Sequence, residues 1–385
     1  MKTKRYNNYD LLRIISCISV IVIHVSFGLL SDVDISKNRF DYISVVFFNT
    51  VSRFAVPIFV MLSGAFLLSN KKNSDYHYFY KKSFIKIGIP TIIFSILFLL
   101  YYLFLNFIQI KIGLKTYSSL FEPVIGFVTG APYYHLWYLY TTVGLYAITP
   151  IIIRIKETIT LKSYKRIAIA LMFLSIIGNI SSTHLFTYDI GNIIYYLSYF
   201  IIGDIIKNEI TVNKSKFKFL ILLLVSIIPL LVLTPIHYYF AINGMTNFTT
   251  NLIQGNFNPL IVISSILMFY SFSYLNLEYE FRKMPQLTLY IYIFHVIPCD
   301  LIFKVMKYLG VLEKFSCIEI IVIGTVFCCF ISIALSIIWL KIYNYLTKNI
   351  LSNWRQLYIC YIDIAKKTWV KIEADEKVVK IKSIS

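Results

Sequence analysis

Two ionisable residues, Arg13 and His24, interrupt the first long apolar stretch of the sequence. Such side chains are costly inside apolar helices and usually face a bundle interior. A helix turns 100° per residue, so their eleven-residue separation leaves an offset of only about 20°, and Cys17 lies on the same stripe. Their axial separation is ~16 Å. The pattern predicts a polar path along one helix face, although a snorkelling Arg13 and a hydrogen-bonded His24 would explain each residue separately.

Arg53 lies near the middle of the second apolar stretch, with Pro57, Val60 and Gly64 following on one helical face. An arginine at this depth does not reach water easily, so it needs a partner or a ligand. The structural alternative is an internal ion pair or hydrogen bond. Ser63 and Gly64 would let another backbone approach closely, as they also would in ordinary helix packing.

Two later apolar stretches each carry a polar stripe at helical spacing. The first stripe contains His135, Tyr138, Thr142, Tyr146 and Thr149, and the second contains Thr288, Tyr292, His295 and Cys299. Hydrogen bonding in a bundle interior would explain each stripe alone. Together with the stripe of Arg13 and His24, however, they predict one shared cavity. His135 itself is expected at the outer interface. The candidate substrate-binding residues here are Trp137, Tyr138, Tyr292 and His295.

Lys82 and Lys86 lie one helical turn apart, just before the third apolar stretch. Two lysines at this spacing can hold the phosphates of a nucleotide-bearing donor, which makes them candidate substrate-binding residues. A simple signal for membrane orientation explains them as well.

The composition excludes a soluble globule. Of the 385 residues 58% are hydrophobic and only 15% are charged, and the mean hydropathy is +0.71. The net charge of +18 is spread over short loops between apolar stretches, which fits membrane orientation better than nucleic-acid binding. The six cysteines show no Cys-x-x-Cys spacing, so we expect neither a disulfide framework nor a metal site.

The apolar stretches predict an all-α transmembrane bundle of about ten spans, since about 20 apolar residues cross the hydrocarbon. The first stretch follows basic residues but lacks a small-residue cleavage site, so it is read as a retained helix. Residues 1–346 form the predicted transmembrane domain, and residues 347–385 a cytoplasmic basic tail with a possible interfacial helix. The predicted spans are 9–30, 42–68, 84–108, 135–153, 167–181, 190–206, 217–236, 257–276, 285–303 and 317–345.

Basic residues in alternating loops predict the orientation of these spans. The N-terminal side of the membrane holds 19 Lys and Arg residues, whereas the loops on the opposite side hold 7. Because Lys and Arg in short loops stay on the cytoplasmic side, both termini are expected in the cytoplasm. The expected location is the plasma membrane.

Six short motifs follow one another in order along the chain. They are Tyr9–Arg13 with His24, Val56–Phe59 with Ser63–Gly64, His135–Leu139, Tyr146 with Pro150, Tyr199–Phe200 with Gly203, and Tyr290–Tyr292 with His295. This ordered set resembles the membrane acyltransferase 3 family, whose members O-acylate cell-surface glycans. The resemblance covers about residues 5–346 and implies ten spans, an acyl-CoA donor and an essential pair formed by Arg13 and His24. Members often carry an Arg-x-x-Arg pair before the third span, where this chain has Lys82 and Lys86.

The resulting hypothesis is an integral membrane O-acyltransferase with His24, Arg13 and Arg53 as its catalytic residues. Acyl-CoA, as acetyl-CoA or succinyl-CoA, would be a donor substrate, and no cofactor would be bound permanently. His24 would act as general base or carry the acyl group itself, and Arg53 would stabilise the oxyanion.

The expected acceptor is an envelope glycan, an extracellular polysaccharide or a lipid-linked saccharide. Membrane lipid and other polysaccharide-synthesis proteins are candidate partners, and nucleic acid is not. The competing classes are a transporter or exporter of such saccharides and a sensor or scaffold. A transporter would use the same polar stripes as a pathway and would not need a donor pocket that faces the cytoplasm.

Overall fold

The computed structural model describes residues 6–30, 33, 35, 38–111, 121–128, 132–180, 188–209, 214–245, 253–281, 284–308, 310 and 314–346. The predicted tail, residues 347–385, lies outside this part of the chain. Helices account for 86% of the structure, which contains no strand within the described ranges. The all-α prediction is therefore confirmed.

Apolar sequences of helical length form the elements, and short polar residues begin several of them. The side chain of Asp75 accepts a hydrogen bond from the backbone N–H of Tyr78, and that of Asn258 accepts one from Leu260. The helices are α1 (Asn7–Leu30), α2 (Arg39–Val51), α3 (Ala55–Leu67), α4 (Tyr76–Ser83), α5 (Ile89–Lys111), α6 (Glu122–Val128), α7 (Trp137–Thr158), α8 (Leu161–Ile180), α9 (Tyr188–Glu209), α10 (Lys216–Ile242), α11 (Pro259–Tyr274), α12 (Met284–Phe294), α13 (Val296–Tyr308) and α14 (Cys317–Leu346). A 3₁₀ turn at Lys71–Ser74 precedes α4, and a π-helical turn at Phe84–Gly88 joins α4 to α5.

Six helices or joined helices in the described part are long and apolar enough to cross a membrane. They are α1, α2 with α3, α4 with α5, α7, α10 and α14, and the bent pair α12–α13 would make a seventh. Helices also lie at the remaining predicted spans, but α8, α9 and α11 do not meet the same criteria. At 16 residues, α11 is only about 24 Å long, less than the hydrocarbon thickness. The predicted count of about ten is therefore not confirmed.

Prolines accompany breaks in the helices at two predicted site residues. Residues 52–54, with Arg53 at their centre, form a turn between α2 and α3, and Pro57 is four residues beyond Arg53. His295 separates α12 from α13, which are bent by 46°, and Pro298 lies four residues beyond Phe294. A proline cannot donate to the carbonyl four residues earlier and its ring clashes with that group. Each proline therefore removes one helical hydrogen bond next to one of these two side chains.

The backbones of α3 and α9 touch at a pair of glycines. A Cβ atom added at Gly64 would lie 1.8 Å from the carbonyl oxygen of Phe200, and one added at Gly203 would lie 2.0 Å from that of Met61. These separations are far below van der Waals contact, so no side chain fits at either position. The close approach predicted for Gly64 is confirmed, and its partner is α9. The chain divides into two compact units after Ser332, and the site described below lies in the first.

Replacing Gly64 with alanine should force α3 and α9 apart, because the obstacle is backbone. Overpacking of this kind costs ~1–3 kcal/mol or more. Thermal unfolding of the purified protein in detergent measures the loss. Gly324→Ala is the matched control, since its added Cβ would meet side chains only, with Val25 at 3.2 Å as the nearest. An equal loss of stability in both variants would contradict the backbone contact as the cause.

Candidate functional site

Three histidines from separate elements meet inside the bundle. His24 comes from α1, His135 from the segment before α7, and His295 from the break between α12 and α13. The centre of the His295 ring lies 4.9 Å from that of His24 and 5.7 Å from that of His135. The structure thus brings His24 and His295 together. His135 also belongs to the cluster and is only 1% exposed. The prediction that His135 lies at the outer interface is therefore replaced by a buried position.

Hydrogen bonds to backbone carbonyls fix the tautomers of two of these histidines. His295 Nδ1 bonds to the carbonyl of Tyr292, and His135 Nε2 lies 3.1 Å from the carbonyl of Ile293. A carbonyl only accepts, so both of these nitrogens carry hydrogen in the neutral rings. The opposite nitrogens, His295 Nε2 and His135 Nδ1, are therefore lone-pair acceptors. Both are buried without a hydrogen-bond partner among the described residues, so the site holds two shielded proton acceptors.

Tyrosines pack around the histidine cluster and hold it. The hydroxyl of Tyr292 donates to the backbone carbonyl of His135, and its ring centre is 5.6 Å from that of His295. Tyr138 packs against Tyr292 at 5.2 Å. The ring of Tyr134 lies 5.3 Å from that of His24 and is 49% exposed. The partly buried His24 thus lies beside a ring that reaches the protein surface.

Arg53 lies near His24 and is held by two neutral amides. Its Nε and Nη2 atoms donate to Asn49 Oδ1 at 2.9 and 2.7 Å, and Nη2 also donates to Gln254 Oε1 at 2.9 Å. Asn49 in turn donates to the carbonyl of Ile23, next to His24 in α1. The Nη1 group makes no hydrogen bond to a described residue. Arg53 therefore presents a positive charge with two available N–H donors.

A cavity of about 190 Å³ extends from Arg13 to the tyrosines of the histidine cluster. Arg13 pairs with Asp10 at 3.3 Å and lies over the ring of Phe66. At the other end, Tyr138 and Tyr292 line the cavity and also pack against the cluster. The other lining residues are Phe59, Ser63, Ile87, Thr142, Tyr146, Pro285, Thr288 and Leu289. Members of all three predicted stripes therefore line one cavity, whereas the three histidines of those stripes do not.

Six of the nine predicted site residues do not line this cavity, namely His24, Arg53, His295, Lys82, Lys86 and Trp137. Lys86 is exposed in the π-helical turn, and Ile87, the next residue along the chain, lines the cavity. Lys82 lies over the ring of Tyr78 at 5.4 Å. Trp137 packs against Tyr196 with ring centres 5.6 Å apart. Any role of the two lysines is therefore at the mouth of the cavity.

Sequence reasoning missed the amides that hold Arg53. Asn49 was detectable, because it precedes Arg53 by one helical turn and both would face the same way. Gln254 gave no such signal, since 201 residues separate it from Arg53. The prolines after Arg53 and His295 were a further usable signal. Within the described ranges, no three His, Cys, Asp or Glu side chains are arranged to hold a metal ion, the histidine cluster included.

A family model described as an acyltransferase domain matches residues 6–340. The match runs from the start of α1 into α14 and includes the whole site. Searches of curated proteins and of solved structures found no match. The matched helices therefore form an acyltransferase domain embedded in the membrane.

The burial of the histidines predicts their order of chemical modification. Diethyl pyrocarbonate reacts with neutral imidazoles that it can reach, so in detergent-solubilised protein it should modify the exposed His77 first and the partly buried His24 next. His135 and His295, which are 1% and 0% exposed, should react last. Peptide mass spectrometry over a time course gives the order. Modification of His295 as fast as His77 would contradict the enclosed cluster, and denatured protein serves as the control.

Proposed function

We propose that this chain, which belongs to the membrane acyltransferase 3 family, moves an acyl group, most simply acetyl, from cytoplasmic acyl-CoA to a sugar hydroxyl. The acceptor is a cell-envelope or extracellular polysaccharide or its lipid-linked precursor. The observation that carries this proposal is the cavity that starts at Arg13 and ends at tyrosines packed on the histidine cluster. The protein would lie in the plasma membrane with both termini in the cytoplasm, as the loop charges predict.

The donor enters from the end of the cavity that holds Arg13. Acyl-CoA carries several phosphate charges, which favour cationic side chains at the mouth and remain outside the apolar bundle. Arg13 lines the cavity, Lys86 lies in the π-helical turn beside it, and Lys82 lies in α4 just before that turn. Turns of this kind are frequent at functional sites. The uncharged thioester arm then extends along the cavity toward Tyr138 and Tyr292.

His24 acts as the general base at the inner end of this path. Its imidazole takes the proton of the acceptor hydroxyl as the oxygen attacks the thioester carbonyl. The carbon–sulfur bond breaks, the ester bond forms, and the departing thiolate takes the proton from the imidazolium. In the alternative route, His24 first takes the acyl group and then passes it to the hydroxyl. His295 packs against His24, and its bond to the carbonyl of Tyr292 fixes its tautomer.

Arg53 stabilises the negative charge that develops on the thioester oxygen. Its neutral partners, Asn49 and Gln254, fix the guanidinium without cancelling its charge. The Nη1 group retains its donors, and Arg53 lies within electrostatic range of His24. Donors held in place before the reaction, in a site shielded from water, stabilise an oxyanion without reorganisation.

Transfer from labelled donor tests the proposed function directly. The purified protein is incubated with radiolabelled acetyl-CoA and with polysaccharide extracted from a strain that lacks the gene, and label in the polymer is counted. Mass spectrometry of that polysaccharide identifies the missing substituent. Inertness toward acetyl-CoA and succinyl-CoA would reject the enzyme and favour the transporter.

Replacing His24 with alanine should abolish transfer while donor binding stays near normal, because a base contributes mainly to the transition state. The expected loss in kcat is ~10² to 10⁴. The exposed His77→Ala variant is the control for removal of an imidazole elsewhere. Activity of His24→Ala within a few-fold of wild type would move the base to His295.

Replacing Arg53 with lysine should preserve the fold and remove most of the activity. Lysine keeps the charge but lacks the planar fork that reaches Asn49 and Gln254 while still presenting donors to the oxyanion. Loss of one oxyanion donor lowers kcat by ~10² to 10³. The exposed Arg39→Lys is the matched substitution. Wild-type turnover by Arg53→Lys would assign Arg53 to packing alone.

A further inference from the structure

A carboxylate lies beyond the histidine cluster, at the end of the site away from Arg13. Along α12 and α13, Thr288 lines the cavity with Arg13, His295 joins the cluster, and Asp300 follows five residues later. Its carboxylate accepts a short hydrogen bond from the hydroxyl of Tyr133 and a longer one, at 3.4 Å, from that of Tyr134. No sequence pattern singled out Asp300, and neither donor entry nor the proton transfer uses it.

Asp300 differs from Asp204, a carboxylate whose hydrogen bonds stabilise the fold. Asp204 is 0% exposed and accepts hydrogen bonds from Lys156 at 2.6 Å and Tyr164 at 3.1 Å. Ser69 and Asn208 also donate to it, at 3.2 and 2.5 Å. Four partners account for the roughly four acceptor positions of a carboxylate.

Asp300, in contrast, is only partly buried and, within the described part of the chain, accepts hydrogen bonds from two phenols. Since a carboxylate offers about four acceptor positions, these two bonds leave capacity for hydroxyl donors of a ligand. The exposed Lys304, one turn further along α13, interacts with it electrostatically.

The surface between Asp300 and His24 is aromatic and reachable. Tyr134 bonds to Asp300 through its hydroxyl, while its ring lies 5.3 Å from that of His24 and is 49% exposed. Tyr133 stacks beside it at 4.9 Å. Interfacial anchoring explains one exposed tyrosine. It does not explain a carboxylate that two phenols place next to a buried histidine cluster.

We propose that Asp300 and Tyr134 form the acceptor-binding end of the site, an inference that rests on the proposed function. A carboxylate accepts hydrogen bonds from neighbouring hydroxyls of a sugar ring, and these charge-assisted bonds are strong. The electron-rich face of Tyr134 packs against the ring carbons and their hydrogens. A sugar bound in this way presents an adjacent hydroxyl to His24. Donor and acceptor thus reach His24 from opposite ends of the site.

The test separates acceptor binding from donor binding by their KM values. The assay uses purified protein, radiolabelled acetyl-CoA and polysaccharide extracted from the deletion strain. Asp300→Asn should raise the KM for polysaccharide about ten-fold or more, as expected for loss of a charged hydrogen-bond acceptor, while changing the KM for acetyl-CoA far less. Asp75→Asn, the same substitution at an exposed carboxylate that begins α4, should leave the KM for polysaccharide within a few-fold. Equal effects on both KM values, a fall in kcat alone, or an equal effect of Asp75→Asn would overturn the proposal.

A second pair of variants keeps the test decisive if Asp300→Asn folds poorly. Tyr134→Leu should also raise the KM for polysaccharide, whereas Tyr239→Leu, at a tyrosine 61% exposed on α10, should not. Equal KM values in the two leucine variants would overturn the acceptor site. Failure of the wild-type protein to transfer from any acyl-CoA is a different result, which rejects the proposed function instead.

Discussion

Lipid offers no hydrogen bonds, and this constraint decides how the polar residues of the bundle are arranged. Each polar group inside an apolar helix must find its partner within the protein. Arg53 finds two amides, and His135 and His295 find backbone carbonyls. These bonds connect the turn after α2 to the segment before α11, and the segment before α7 to α12. The interactions that satisfy the site are thus also interactions that assemble the helices.

The same constraint distinguishes structural groups from functional ones. Asp204 is surrounded by four donors and is fully enclosed. Arg53 retains an Nη1 group, and His295 a buried Nε2, without a bond to a described residue. An incompletely paired polar group costs free energy in a medium of low dielectric constant, and it strengthens the interaction with any ligand that supplies the missing partner. His295 packs against His24 and against Tyr292, which lines the cavity that starts at Arg13.

Helix breaks supply the orientation that a continuous helix would not. Arg53 and His295 both lie at interruptions accompanied by a proline three or four residues later. At a break, the side chain no longer follows the regular helical rotation of 100° per residue. The helix axis also bends, by 46° at His295. The close backbone contact of Gly64 with α9 fixes α3 on the other side of the Arg53 turn. Rigid packing next to a break holds the arginine in one position.

The sequence alone determined the fold class, the positions of most helices and the stripes that meet in the cavity, because hydrophobicity and helical periodicity are local properties. It also determined the family, because ordered short motifs survive without three-dimensional information. Tertiary structure alone decided that Gln254 reaches Arg53, that His135 faces inward, and that Asp300 lies beyond His24. These relations join residues 150 or more positions apart, and no period or composition reports which helices become neighbours.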